Sequence, residues 1–135
     1  MAVTYNATLK TNRMQLVADL IASKVAASST GTASAGTLVI GTSSLSGATG
    51  VLASFTLSST PGTVAGAVLT ISGTPLTATA SGTGTAALAE IRNNAGTVIV
   101  SGLTVGTSGA DIIINATAVS TGQTVSLTSG TITHG

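Results

Sequence analysis

The chain has 135 residues, of which 43% are hydrophobic but only 5% charged, with a formal net charge of +1. That length suits one domain with a real core, whereas soluble domains ordinarily carry roughly a quarter charged residues. Near-neutrality argues against steering toward nucleic acid or an acidic membrane surface, and the absence of cysteine removes disulfides and thiolate chemistry.

Serine and threonine supply about a third of the residues, and the β-branched excess favours pleated, half-buried surfaces. With Tyr5 and Phe55 as the only aromatics, the core has to be assembled from Val, Leu, Ile and Ala. No apolar run is long enough for a membrane-spanning helix. The N-terminus lacks a basic start followed by an apolar stretch, so synthesis in the cytoplasm without a signal peptide is expected.

Met1 to Asn6 read as an extended arm with Val3 and Tyr5 on one side. The period then changes. Leu9, Met14, Leu16, Val17, Leu20, Ile21 and Val25 fall on a broad helical arc, with Asn12, Gln15, Asp19 and Ser23 opposite. This predicts a helix over about residues 9–26, capped by Thr8 or Thr11, or by Asn12 with Gln15 as a capping box if it starts later. The segment holds Lys10, Arg13 and Lys24 against one acid, Asp19. Such cations either snorkel from a helix packed on a sheet or dock on acidic groups of a neighbouring subunit. With no aromatic anchor, a membrane-surface role is weak.

Residues 30–36 form a small-residue linker between the arm and helix (residues 1–29) and a β-rich remainder (residues 37–135), all within one structural domain. Short apolar strands bounded by Gly, Ser, Thr or Pro are expected at Thr37–Gly41, Val51–Ser58, Thr63–Ser72, Leu76–Ala80, Thr85–Arg92, Thr97–Ser101, Asp111–Ala116 and Thr124–Thr133. The expected fold is mainly β, a jelly-roll-like β-sandwich of about eight short strands preceded by one N-terminal amphipathic helix. Asn93-Asn94-Ala95-Gly96 marks a hairpin turn, and Gly106-Thr107-Ser108-Gly109 a second reversal. On the first hairpin strand Leu88, Glu90 and Arg92 share one face. Glu90 and Arg92 therefore read as a same-face ion pair or a contact across an interface. Thr-x-Thr triplets occur, but their irregular spacing cannot align them on one flat ice-binding face.

Reactive groups are scarce. A nucleophilic triad would need His134, the penultimate residue, with a serine and Asp111, and no Gly-x-Ser-x-Gly elbow accompanies it. Glu90, Asp19 and Asp111 have no spacing that pairs carboxylates or builds a metal site. The glycine-rich stretches lack a following Gly-Lys-Ser/Thr. Asn6-Ala-Thr8 and Asn115-Ala-Thr117 match the glycosylation triplet, as chance alone would produce in so Thr-rich a chain. The sequence thus nominates no catalytic, cofactor-binding or metal-ligating residue.

Several strings taken together, Asn6-Ala-Thr-Leu-Lys-Thr-Asn-Arg-Met-Gln15, Leu38-Val-Ile-Gly-Thr42, Gly102-Leu-Thr-Val-Gly-Thr-Ser-Gly-Ala-Asp111, Gly122-Gln-Thr-Val125 and Thr131-Ile-Thr-His134, resemble small structural proteins of tailed-bacteriophage virions. The resemblance spans nearly the whole chain and implies a virion component. A capsid decoration or cement protein on the outer surface of the head is the first expectation, with the major capsid protein as partner and a homo-oligomer, dimer or trimer, as the form. A tail, neck or fibre component is the alternative, and a non-viral adhesin or carbohydrate-binding module the third. The resemblance carries no site motif. Tyr5, Lys10, Arg13, Lys24, Glu90 and Arg92 are the candidate partner-binding residues, read from their charge and position.

Overall fold

A computed structural model describes residues 6–22, 34–46, 49–57, 62–66, 68–71 and 73–133. The fold is mainly β, with one N-terminal helix and a large mixed sheet. Helix α1 (Ala7–Ile21) precedes β1 (Thr37–Ser46), β2 (Thr49–Thr56), β3 (Gly62–Ala65), β4 (Val68–Ile71), β5 (Leu76–Thr79), β6 (Gly84–Thr85), β7 (Leu88–Arg92), β8 (Val98–Gly106), β9 (Ile112–Ile114), β10 (Ala118–Val119) and β11 (Thr124–Thr133). The expected arm with Tyr5, Lys24 and Val25, linker residues 30–33 and His134 lie outside the described residues.

The helix starts earlier than its apolar pattern suggests because Asn6 caps it. Asn6 is extended, and its Oδ1 accepts the Leu9 N–H at 2.8 Å, satisfying one of the orphan donors of the first turn. Thr11 is not a cap; its hydroxyl donates back to the Ala7 carbonyl. Beyond the helix, the Ser34 N–H donates to Ala22 O at 2.8 Å, and the Leu57 N–H donates to Gly36 O at 2.9 Å. Gly36 is the close approach in this junction. A Cβ there would lie 2.7 Å from the Arg92 carbonyl oxygen and 2.9 Å from that of Ile21.

The main sheet runs β2-β1-β7-β8-β9-β11-β4-β3, with β5 also paired to β11, and β6 and β10 form a separate two-stranded ladder. Antiparallel register places Leu38 opposite Phe55 on one side and Ile91 on the other, while Ile91 in turn faces Val100. The β7–β8 hairpin turns where the sequence predicts. Asn93 N–H donates to Thr97 O, Gly96 N–H to Asn93 O, and Thr97 N–H to Asn93 Oδ1. Ala89 and Ile91 are fully buried, so alternation along β7 sends Glu90 and Arg92 to the other face.

Among the described residues there are eleven strands rather than about eight, the expected Thr85–Arg92 being divided between β6 and β7, and two further expectations fail for identifiable reasons. The stretch Thr63–Ser72 is two strands, because Gly66 at φ +60° supplies the reversal that lets Ala65 pair with Val68. Gly106–Gly109 does not close a hairpin: β8 and β9 pair in parallel, Val105 with Ile112 and Gly106 with Ile113. The chain steps back only as far as Thr104, where Asp111 is held, and re-enters in the same direction.

Strand β11 organises the second half. Its first residues pair with β5, its middle with β9 and its last three with β4. The connection after β5 then reaches β2, since the Ser81 and Gly82 N–H groups both donate to Leu52 O. The β2 edge of the sheet is therefore tied to the segment that follows β5. Inside lie Leu38, Ile40, Phe55, Leu69, Ile91, Ile112, Ile114 and Leu127, and α1 adds Met14, Ala18 and Ile21 from its seat against β3, β4 and β8.

Candidate interaction surface

Sequence periodicity assigns one broad buried arc to α1, and the structure divides it. Met14, Ala18 and Ile21 meet the core, whereas Leu9 and Leu20 are each 42% exposed. The opposite face also departs from expectation, because Asp19 is 1% exposed and its Oδ1 accepts the Gln15 Nε2–H at 3.1 Å. The sheet engages only one stripe of the helix. Leu9, Arg13, Leu16 and Leu20 form a second stripe at intervals of four, three and four residues, the spacing by which a helix presents one seam.

Beside that stripe lies an open groove of about 470 Å³ between α1, β8 and the end of β11. Its walls are largely apolar: Leu16, Val17 and Leu20 on the helix, Ile99 and Val100 on β8, and Ile132 on β11. Val98, at the start of β8, is 43% exposed next to it. Arg13 sits on the wall of the groove, and Lys10 is half-buried one turn back along the same helix.

The other pair of candidate residues lies on β7. Arg92 Nη2 and Nε donate to Glu90 Oε2 at 2.9 and 3.3 Å, the two side chains retaining only 18% and 12% exposure respectively. Cα register sets Glu90 beside Val39 and Arg92 beside Thr37 and Val98. The structure thus brings Glu90 and Arg92 together on β7 and places Lys10 and Arg13 on α1. The pair is therefore largely covered rather than the surface pair its position in the sequence suggests.

Other polar groups singled out by sequence serve the fold. Asn6 caps α1, and Asn115 Oδ1 accepts the Ser126 N–H at 3.0 Å. The Asp111 carboxylate accepts from Thr104. Among the described residues, no group of three or more His, Cys, Asp and Glu side chains is placed to hold a metal ion. What the sequence reading missed is the outward leucine stripe. The signal was present, because the predicted apolar arc is wider than one line of contact can bury.

Comparison of the chain with protein-family models, curated proteins and solved structures returns no match.

Proposed function

We propose that the chain is a non-enzymatic structural protein of a bacteriophage virion, a decoration or cement protein that binds the lattice of major capsid protein on the outside of the head. The observation that supports this is the surface of α1. A chain with four Lys and Arg and three Asp and Glu side chains leaves leucines and an apolar groove at its surface, beside a core already closed by its own strands. Such a patch is the mark of a protein that completes its surface against other subunits. The resemblance of the sequence strings to virion proteins supplies the phage context.

In this reading the curled sheet is a jelly-roll-like sandwich serving as a rigid spacer. The segment ahead of α1 with Tyr5, the cations Lys10, Arg13 and Lys24, and the Glu90–Arg92 pair contribute to the capsid contact. Many copies bridging neighbouring capsomers would strengthen the shell by avidity, each adding binding energy available only to the assembled lattice.

Fractionation of purified particles tests the assignment. The protein is expected with heads, and recovery with tails, or in the soluble fraction alone, would overturn it. Binding to undecorated capsids tests the contact: deletion of residues 1–5 is expected to reduce it, and undiminished binding would remove the arm from the interface.

A further inference from the structure

We propose that the Arg92–Asn93 bond is a latent cleavage site for proteases that cut after arginine or lysine, held shut by the carboxylate of Glu90. The inference concerns the isolated chain and does not depend on capsid binding.

Four residues of the sequence are Lys or Arg. Lys10, Arg13 and Lys24 all precede the strands, and Arg92 alone follows them. From Thr37 onward, composition therefore leaves a protease of this specificity one bond. Its position invites attack. Arg92 ends β7 immediately before the hairpin turn, where Asn94, Ala95 and Gly96 are exposed. Exposed tips of this kind are the ordinary sites of nicking. A cut there would sever the β7–β8 hairpin, which lies inside the main sheet between β1 and β9.

The fold withholds the bond at each atom a protease needs. Such an enzyme takes the basic side chain into an acidic pocket and binds the flanking backbone as an added strand. Arg92 Nη2 and Nε are already donated to Glu90 Oε2, at 2.9 and 3.3 Å, and the side chain is 18% exposed. Its backbone is flanked on both sides, by Thr37 of β1 and Val98 of β8. The amide itself is engaged. Asn93 N–H donates to Thr97 O at 2.9 Å, and the Arg92 carbonyl oxygen faces Gly36, where a Cβ would lie 2.7 Å from it.

Glu90 matters because the ladder is irregular at this point. The register between β7 and β8 shifts between Ile91 and Arg92, so regular pairing stops at the residue to be cut. The ion pair fastens the Arg92 side chain there, and local opening has to release it. Hydrolysis would then follow the usual course. The protease nucleophile attacks the Arg92 carbonyl carbon, the C–N bond breaks with a proton passing to the Asn93 nitrogen, and water frees the new Arg92 carboxylate. The pair thus keeps the central hairpin in one piece.

Trypsin digestion of the full native chain, followed by mass spectrometry, tests the proposal. Cleavage at Arg92–Asn93 should be slower than at the fastest of the bonds after Lys10, Arg13 and Lys24, and should lose that lag once the chain is unfolded by heat. Glu90→Gln should speed the Arg92–Asn93 cut by about two- to fivefold, as the population of the open form rises with loss of the pair. The same variant should leave the cuts after Lys10, Arg13 and Lys24 unchanged. Chymotrypsin cleavage after Phe55, which is buried in the core, should also be unchanged and so reports global unfolding separately. A native chain cut at Arg92–Asn93 as fast as at its other basic residues would overturn the proposal. So would an unchanged rate in Glu90→Gln, or an equal acceleration at Phe55.

Discussion

Thr104 and Asp111 hold each other from both sides. The Thr104 N–H and hydroxyl donate to Asp111 Oδ2 at 3.1 and 3.2 Å, and the Asp111 N–H donates to Thr104 Oγ1 at 3.0 Å. This reciprocal clasp stops the chain after β8 from running back as a hairpin and sends it forward beside the strand it has just left, giving the parallel β8–β9 pair. Asp111→Ala and Thr104→Val should each cost about 1–2 kcal/mol in urea unfolding. The two side chains share the same bonds, so the double variant should cost little more than either single one. Fully additive losses would show that the residues are not coupled.

Gly36 joins the end of α1 to β1 against two backbone carbonyls, those of Arg92 and Ile21. Neither can retreat as a flexible side chain would. Gly36→Ala should therefore destabilise the protein by about 1–3 kcal/mol, the range typical of overpacking. A Tm equal to that of the unaltered chain would mean the junction is looser than its distances imply.

Asn6 supplies the first hydrogen bond of α1, and no acidic residue occupies the first turn. Asn6→Ala should lose about 1 kcal/mol of stability. Asn6→Asp should retain the cap and gain from a negative charge near the helix N-terminus, about 0.3–1 kcal/mol at low salt. Thermal unfolding of the two variants beside the parent distinguishes capping from a general intolerance of substitution at that position.

Local pattern was enough to read several features from the residues alone. The helix, most of the strand segments, the turn at Asn93–Gly96 and the same-face placement of Glu90 and Arg92 follow from spacings of two to four residues. Those spacings are set by the geometry of a single element. Tertiary structure decided what such spacings cannot encode. It chose Met14, Ala18 and Ile21 over Leu9 and Leu20 as the buried stripe, covered Asp19, split Thr63–Ser72 at Gly66, set β9 parallel to β8 and tied Ser81 to Leu52 on β2. Each outcome depends on which surface arrives from a distant part of the chain, and an apolar residue is equally apolar whether or not that surface reaches it.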